Sequence, residues 1–458
     1  MDGLSFNLDP AGKLPLYEQL YRAISTEITR GRLAPGTRLP SRRALCERLG
    51  VSGQTVSSAL DLLKAEGFLR GEARRGLFVE EGLFVPPPGM PRREAATPAP
   101  APPRYDFSPQ GADLGLFPYR AWAGLVRGAL LGEPGLLSKG DAKGEESLRR
   151  ALCTFLYEYR GVRAGPREVV IGAGVEHLLG VLACLLPPAS RVACEDPGFP
   201  GAYSAFARAG LVPVPVALDD QGMRVDLLRD SGAAAAYVTP AHQFPLGLSM
   251  PAGRRTELLR WAEEAPGRYV IEDDYDSEFR HSSRPLPALK GMGNGARTVY
   301  VGTFSRSLAP GIRIAYMVLP ETLARRYEDM GLRGGDHVSR FEQSAMAGLL
   351  TSGQYARHLR RAGLAYRKRC DALRAELLRI PGAMVSGHEA GLHFLFGIQG
   401  RAEDGLIEKA APAGIPLRGL ASYCREASLP PRLVLGYAGL RDEDVTPAVA
   451  ALREAWGV

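Results

Sequence analysis

Residues 298–313 read TVYVGTFSRSLAPGIR, and this tract indicates the class of fold to expect for most of the chain. It begins with the apolar run of a buried strand and passes into hydroxyl side chains at Thr303 and Ser305, with an arginine at position 313. Hydroxyl donors and a guanidinium group at a strand end are suited to hold a phosphate. The tract therefore predicts a phosphate site at the edge of a sheet.

Similar apolar runs recur upstream, separated by helical patterns. They lie at 168–171, 191–194, 236–239 and 269–271. Strands that are apolar on both faces and alternate with helices imply a mostly parallel sheet covered on both sides. Ligands bind such sheets at the carboxyl ends of the strands. The last of these runs leads directly into acidic and aromatic residues, and a carboxylate there can keep a pyridine nitrogen protonated.

Composition and charge limit the class of protein that this sequence can encode. The chain has 458 residues, 45% hydrophobic and 23% charged, which predicts a globular protein of two or three folding units. No apolar run is long enough to span a bilayer and no leader pattern opens the chain, so we expect a cytoplasmic protein without membrane contact. The six cysteines form no Cys-x-x-Cys pair, so we expect neither a metal site nor disulfides. The net charge of +7 suggests an anionic partner.

A Pro/Ala-rich stretch divides the chain. Residues 83–104 read LFVPPPGMPRREAATPAPAPPR and lack apolar periodicity, which is typical of a semi-extended linker. We expect a winged helix-turn-helix domain over 1–82 and an effector-binding and dimerisation domain over 105–458. The predicted fold class is therefore multi-domain, with a small DNA-binding unit joined to a large α/β unit.

The first unit carries three helical patterns followed by a hairpin. The helices start at Pro15, Ser41 and Ser52, and serine is a preferred N-cap. Two short apolar strands follow at 68–70 and 76–79, around a basic turn. Three helices and a basic hairpin make a winged helix-turn-helix, whose third helix enters the major groove of DNA.

The candidate DNA contacts are polar residues off the buried stripe of the third helix and arginines elsewhere in the unit. Side-chain amides and hydroxyls bond base edges, and arginines hold backbone phosphates. The candidates are Gln54, Thr55 and Ser57 for the bases, and Arg42, Arg43, Arg74 and Arg75 for the backbone. The alternative is a winged helix used for protein contact alone.

Over residues 14–80 this unit resembles the DNA-binding domain of GntR-type regulators. The resemblance rests on LPSRRAL (39–45), LGVS (49–52) and AEGFL (65–69). It implies binding to double-stranded operator DNA. One position departs, because Gly53 stands where members often carry an arginine after the capping serine. The base preference of the family is therefore not transferable.

The second unit resembles the fold-type-I, pyridoxal-phosphate-dependent aminotransferases, and the whole chain resembles the MocR/GabR subfamily of regulators, which fuse such a domain to a GntR head. The motifs are residues 298–313, VIEDDYDSEFR (270–280), EDPGF (195–199) and TPAHQFPLG (239–247). The resemblance implies a homodimer and a pyridoxal phosphate site.

The same resemblance assigns roles residue by residue. It implies that Asp273 pairs with the pyridine nitrogen, Tyr275 with the phenolic oxygen and Phe199 with the ring face. It further implies that the phosphate is held by Thr303, Ser305 and Arg313, and that a substrate carboxylate is held by Arg432.

Arg306 decides the chemistry. In the family this position is the lysine that forms a Schiff base with pyridoxal phosphate, and here it is arginine. A guanidinium stays protonated and has no free amine to attack an aldehyde. We therefore expect no covalent aldimine, no transaminase turnover and no catalytic residues. Lys290 lies on the far side of a strand from this turn and is a poor substitute.

Three further positions depart from the family, and one of them is Gly201, which stands where the best-known members have an arginine. The loop GAGVEH (172–177) includes Gly174 and Val175 where a phosphate loop is expected, and its Glu176 would set a negative charge against the phosphate. Lys139 stands where a tyrosine of the partner subunit contacts the phosphate. These departures argue against an isolated engineered change at Arg306.

Two interpretations of the pocket stay open. Either pyridoxal phosphate binds without a covalent bond, or another small anionic or amino-acid-like effector binds Arg306, Arg313 and Arg432. The predicted function is a ligand-responsive transcription regulator. The alternative functions are an active aminotransferase with an accessory head, and an aminotransferase-like domain retained only for dimerisation.

Overall fold

A computed structural model of the protein describes residues 6, 8–10, 12, 14–81, 102–281, 287–293 and 295–458. The chain divides into two compact units, 1–101 and 102–458, which are described separately below. Most of the predicted linker, 83–101, lies outside the described residues. Within the described part of the chain, no helix combines the length and apolarity needed to cross a membrane.

Serine caps set the helices of the first unit where the sequence predicts them. The Ser41 hydroxyl accepts a hydrogen bond from the Ala44 amide at 3.2 Å, and the Ser52 hydroxyl accepts one from the Thr55 amide at 3.1 Å. The elements are α1 (Leu16–Thr29), α2 (Arg42–Leu49), α3 (Gly53–Ala65), β1 (Leu69–Glu72) and β2 (Gly76–Val79).

The apolar stripes of these helices meet in one small core. Its most buried members are Leu20, Ile24, Val56, Leu60 and Leu63, all at most 2% exposed. The strands β1 and β2 pair antiparallel as a hairpin. Three helices and a hairpin around this core confirm the predicted winged helix.

The second unit alternates helices and strands. Its helices are α4 (Tyr119–Gly132), α5 (Glu146–Arg160), α6 (Val175–Leu185), α7 (Pro200–Arg208), α8 (Val225–Asp230), α9 (Ala252–Glu263), α10 (Glu321–Asp329), α11 (Arg340–Thr351), α12 (Gln354–Leu377), α13 (Glu403–Ala410) and α14 (Val445–Trp456). Its strands are β3 (Val169–Gly172), β4 (Arg191–Asp196), β5 (Val212–Asp219), β6 (Gly222–Met223), β7 (Ala235–Val238), β8 (Tyr269–Asp274), β9 (Thr298–Thr303), β10 (Ala315–Val318), β11 (Ala383–Ser386), β12 (His393–Ile398) and β13 (Leu433–Gly436).

Eight of these strands form the central sheet, in the order β3-β10-β9-β8-β7-β4-β5-β6. The five strands from β9 to β5 in this order are parallel, whereas β10 pairs antiparallel with both β9 and β3. In the register, Asp273 lies opposite Val301, and Thr303 lies opposite Ala315. The ends of β8 and β9 therefore meet at one edge of a mostly parallel sheet, as predicted.

A second, smaller sheet follows in the chain. Strands β11, β12 and β13 pair antiparallel in that order, with Leu395 opposite Val434. On β12, Phe396 stacks on Trp456 of α14 with ring centroids 5.6 Å apart. Leu395 and Val434 of this sheet pack in one cluster with Phe244 and Tyr275, which line the pocket described next.

Candidate DNA-binding face and ligand pocket

The third helix of the first unit presents few free polar groups. Gln54 is exposed, but the Thr55 hydroxyl lies 2.9 Å from the Ser52 hydroxyl and belongs to the cap. The Ser57 hydroxyl donates to Asp61 at 3.4 Å. Among the three residues predicted to read bases, Gln54 therefore has the most accessible side chain.

The arginines predicted to hold phosphate are all exposed. Arg43 pairs with Glu47 at 2.9 Å, and Arg75 pairs with Glu72 at 2.5 Å. Exposed ion pairs of this kind contribute less than about 1 kcal/mol, so exchanging a carboxylate for a DNA phosphate costs little. Arg74 adopts a φ of +63° at the hairpin turn, in the left-handed region that favours glycine. Position 74 therefore carries an arginine although glycine would adopt this backbone conformation with less strain.

The second unit has a pocket at the sheet edge where β8 and β9 end. Eleven of its lining residues come from loops and helix starts that follow strands of the central sheet or the turn after β9. The lining residues are Gln110, Gly174, Val175, Glu176, Phe199, Thr239, Phe244, Asp273, Tyr275, Thr303, Ser305, Arg306, Pro310 and Arg313. Ten of the twelve residues that the sequence proposes for ligand binding lie in this pocket; Lys139 and Arg432 do not.

One end of the pocket is built around the first turn of α6. Gly174 caps this helix with φ +98°, and a Cβ atom there would lie 2.5 Å from Nη2 of Arg313. The Arg313 guanidinium donates to the carbonyl of Ala173 at 3.1 Å. Thr303 and Ser305 are adjacent, and the Ser305 amide donates to the Thr303 hydroxyl at 3.1 Å. A helix N-terminus, two hydroxyls and a guanidinium thus surround one space, as phosphate recognition requires.

A buried carboxylate forms the floor of the pocket. Asp273 ends β8, is 4% exposed and accepts a hydrogen bond from the Tyr237 hydroxyl through Oδ2. Its Oδ1 atom is buried without a partner. Burial raises the pKa of Asp273 to about 7. An unpartnered carboxylate oxygen at this depth is suited to receive a ring N–H of a ligand.

The neighbouring carboxylate anchors this strand end. Asp274 bonds Arg160 of α5 at 2.6 Å and accepts from the Tyr300 hydroxyl at 2.6 Å. Both members of the ion pair are at most 5% exposed. The arginine holds the pKa of Asp274 below its usual range, although burial opposes this. Asp274 therefore points away from the pocket into a structural network, and Asp273 remains facing the pocket.

Tyr275 forms a wall of the pocket and is held by His242. The tyrosine hydroxyl donates to the His242 carbonyl at 2.9 Å and lies 3.0 Å from its Nδ1. That Nδ1 is also 3.0 Å from Oδ2 of Asp276. Gly391 packs against this pair, since a Cβ there would lie 2.0 Å from Cε1 of His242. The loop between β11 and β12 therefore touches a residue that positions Tyr275.

His242 and Asp276 belong to a buried polar cluster that the sequence does not predict. His393 of β12 is its third member, with its Nε2 donating to the Pro245 carbonyl at 3.1 Å. The ring centroids of the two histidines are 4.8 Å apart. Burial lowers the pKa of His393 to about 3, so this histidine is neutral. Its residues come from three distant segments, so no spacing in the sequence signals it.

Arg306 lies in the pocket beside Tyr275. Its guanidinium carbon is 5.7 Å from the centre of the tyrosine ring, in a cation–π contact. Its Nη1 atom is buried without a hydrogen-bond partner. Among the described residues, no lysine lines the pocket. The amine that an aminotransferase reaction needs is therefore not present among these lining residues.

Lys290 cannot replace that amine. It is 5% exposed, and its Nζ donates to the carbonyls of Thr298 and Gly295 at 2.9 and 3.2 Å. Thr298 begins β9, whereas Thr303 at the pocket ends it. Five residues of strand span about 16 Å. Lys290 is therefore held at the opposite edge of the sheet.

Glu176 lines the pocket and forms an ion pair with Arg208 of α7. One carboxylate oxygen lies 3.3 Å from Nη2 of Arg208, and half of the glutamate side chain is exposed. Gly201 makes room for this arrangement, because a Cβ there would lie 2.8 Å from the other Glu176 oxygen and 2.4 Å from the Phe199 ring. The charge that the sequence places against a phosphate is thus partly offset.

Two predicted ligand residues lie elsewhere in this chain. Lys139 is exposed and lines a separate cleft with Arg340. Arg432 precedes β13, and its guanidinium contacts the Pro431 carbonyl at 2.8 Å and Met384 Sδ at 3.5 Å. Arg432 is not among the residues that line this pocket, and its side chain lies against β11.

The position on β13 that does face the pocket wall is Val434. It packs in an apolar cluster with Phe244, Tyr275 and Tyr423. Only Leu433 separates Val434 from Arg432, which directly precedes β13. The side chain of this segment that packs against the pocket-lining residues is therefore apolar.

The sequence matches two family models. Residues 16–79 match the bacterial regulatory proteins of the gntR family, and residues 130–452 match aminotransferase class I and II. Three curated relatives align with 98% of this chain and 95–97% of their own length. They are the uncharacterised HTH-type transcriptional regulator YhdI of Bacillus subtilis (34% identical), the probable rhizopine catabolism regulatory protein MocR of Rhizobium meliloti (31%) and the HTH-type pyridoxine biosynthesis transcriptional regulator PdxR of Corynebacterium glutamicum (31%).

Solved structures of aminotransferases share the fold of the second unit. The kynurenine aminotransferase of Pyrococcus horikoshii superposes with a TM-score of 0.68 at 24% identity, covering 76% of this chain and 89% of its own. An archaeal alanine:glyoxylate aminotransferase superposes with a TM-score of 0.69 at 23% identity, with the same coverage. At these identities the likeness concerns the fold alone.

Proposed function

This chain belongs to the HTH-type transcriptional regulators that join a GntR DNA-binding head to an aminotransferase class I and II domain, and from that premise we propose that its second unit senses a ligand without transforming it. The observation that carries this proposal is Arg306, which lies in the pocket at the position where the family resemblance places the reactive lysine. The proposed ligand is a small phosphorylated anion. Pyridoxal phosphate is the first candidate.

The chemistry of Arg306 supports sensing over catalysis. An aminotransferase needs an amine that attacks a carbonyl carbon and later carries a proton between two carbons. A guanidinium remains a cation and offers neither a nucleophile nor a base. Lys290, the alternative amine, is held by two backbone carbonyls near the start of β9. This lies about 16 Å from the end of the strand at the pocket.

The other pocket residues fit a phosphorylated pyridine. The unpartnered Oδ1 of Asp273 suits a protonated ring nitrogen, and Phe199 lies on the same pocket wall as Phe244. Thr303 and Arg313 at the first turn of α6 suit the phosphate. When bound in an enzyme, pyridoxal phosphate supplies an electron sink; here these residues would bind and orient it. The printed name of the PdxR relative links that protein to pyridoxine biosynthesis, which supports this choice of ligand.

Intact-mass measurement after borohydride treatment tests the proposal. Wild-type protein incubated with pyridoxal phosphate should show reversible binding by calorimetry and no phosphopyridoxyl adduct. Arg306→Lys should gain both a visible absorbance band and an adduct, because it restores an amine to an otherwise intact pocket. Arg306→Gln is the matched control and should gain neither. A covalent adduct in the wild-type protein, or amino-group transfer from an amino acid, would favour the alternative of an active aminotransferase.

We propose that the regulator binds DNA as a homodimer, with two heads on two half-sites. Lys139 supports the dimer: it is exposed and absent from the pocket of its own chain, which is compatible with its predicted contact to the partner subunit's ligand. Size measurement in solution tests the dimer, and Lys139→Ala should weaken ligand binding only if the pocket is shared.

Arg74 offers a clean test of DNA binding. Arg74→Gly removes a charge at the hairpin turn and at the same time relieves a left-handed backbone conformation, so the fold should be kept or stabilised. Affinity for the DNA upstream of its own coding region should fall, and the slope of log affinity against log salt should drop by about one per lost phosphate contact. Unchanged affinity and salt slope would remove Arg74 from the DNA-binding face.

A further inference from the structure

Arg306 is a half-buried cation that forms no salt bridge within the described part of the protein. Its contact with the Tyr275 ring, at 5.7 Å, is a weak interaction for a charged group in a pocket. Its Nη1 atom is buried with no hydrogen-bond partner, and no described carboxylate forms an ion pair with it. A buried N–H group without a hydrogen-bond partner is costly, and it is best satisfied by an anionic acceptor when it belongs to a cation. The pocket is therefore incomplete at this point.

The other pocket charges do not fill this role. Glu176, a second lining carboxylate, is paired with Arg208 at 3.3 Å, and Arg313 is itself a cation. Asp273 lies close enough for its charge to be felt by Arg306, yet its own Oδ1 is also unpartnered. One guanidinium and one carboxylate thus face the same cavity without meeting. A ligand that brings a donor to Asp273 and an anionic oxygen to Arg306 completes both.

We propose that Arg306 selects a ligand with a second anionic group, in addition to the phosphate held at the α6 end. This inference rests on the proposed sensing function and narrows its ligand to compounds with a phosphate and a carboxylate or similar oxygen anion. A guanidinium binds a carboxylate through two parallel hydrogen bonds, which gives both affinity and orientation. A ligand with an ammonium group at this point meets a like charge.

Phosphorylated pyridines offer matched probes, because the family resemblance places position 306 against the carbon that bears the aldehyde in pyridoxal phosphate. Pyridoxamine 5′-phosphate carries an ammonium there, pyridoxine 5′-phosphate a neutral hydroxyl, and 4-pyridoxic acid 5′-phosphate a carboxylate. The ring and the phosphate are the same in all three. Differences in affinity therefore report the environment of that single substituent.

Calorimetric titration of the full-length protein with these three probes is the test. The carboxylate probe should bind tightest, at least about tenfold better than the hydroxyl probe, and the ammonium probe should bind weakest. In Arg306→Gln the spread should collapse to within about threefold. Arg306→Lys should keep the order with a smaller spread, because a point charge lacks the forked geometry. Arg313→Gln is the control that should weaken all three probes alike.

The outcomes distinguish the proposed role of Arg306 in ligand selection from the proposed ligand-sensing function. Equal binding of the three probes to wild-type protein, or an order of affinities that survives in Arg306→Gln, overturns the role of Arg306 while ligand sensing stands. Failure of all three probes and of pyridoxal phosphate to bind folded protein, checked by thermal unfolding, overturns the proposed ligand class and the inference together.

Discussion

Removing the negative charge of Glu176 should strengthen phosphate binding by only a modest factor. Two unit charges about 4 Å apart repel by about 1 kcal/mol in water and by about 4 kcal/mol at an effective dielectric of about 20. Half of the Glu176 side chain is exposed, and its carboxylate pairs with Arg208 at 3.3 Å. Both facts favour the lower limit. We therefore expect Glu176→Gln to improve affinity about fivefold, since about 1.4 kcal/mol corresponds to tenfold.

The assay is calorimetric titration of pyridoxal phosphate and, separately, inorganic phosphate, at low and high salt. Arg208→Gln should weaken both ligands, because it frees the glutamate charge, and the double variant should return to the affinity of Glu176→Gln alone. The effect should shrink at high salt, where exposed charges are screened. A gain of a hundredfold or more in Glu176→Gln would show that the glutamate points into the phosphate site and refute this reasoning.

Three further substitutions test the framework. Gly174→Ala should cost phosphate affinity at least about tenfold, because its Cβ would meet the Arg313 guanidinium and the left-handed backbone would be strained, and titration checks this. Arg160→Met should destabilise the second unit by about 3–5 kcal/mol in chemical unfolding, because it leaves Asp274 buried and unpaired, whereas Arg160→Met with Asp274→Leu should recover part of this. The pKa of His393 is about 3 in the fold and about 6.5 in an unfolded chain, so unfolding takes up a proton and acid destabilises the fold. Between pH 7 and pH 5 the free energy of unfolding of the wild type should therefore fall by about 2 kcal/mol more than that of His393→Gln. Chemical unfolding of both proteins at each pH measures this difference.

Local signals in the sequence were sufficient for the first unit. Ser41 and Ser52 cap helices where predicted because an N-cap depends on a side chain and an amide three residues away. The apolar stripe that includes Leu60 and Leu63 is buried for the same local reason. Such features need no knowledge of distant contacts.

The pocket was predictable as far as it follows strand ends. Asp273 and Thr303 end neighbouring parallel strands, so their meeting at one edge follows from the fold class. The antiparallel β10 and the small sheet were not predicted, because their pairing depends on which distant strands adjoin them. The contacts of Arg432 with the Pro431 carbonyl and Met384 were not predictable either, because a motif does not give the register of the strand that follows it.

Long-range partners account for the remaining differences. The Glu176–Arg208 pair joins two helices separated by a strand, and the cluster of His242, Asp276 and His393 joins three segments across some 150 residues of chain. Nothing in the spacing of these residues marks them as neighbours. Both act on the pocket, since the ion pair offsets the charge of Glu176 and the cluster positions Tyr275.

Gly391 connects the small sheet to the ligand pocket through two direct contacts. Its bare α-carbon rests against the imidazole of His242, and that imidazole is bonded to the hydroxyl of Tyr275. A ligand that shifts the tyrosine ring therefore acts, through the contacts of Tyr275, His242 and Gly391, on the loop that leads into β12. The coupling is reciprocal, so a change that displaces this loop also changes the affinity for the ligand.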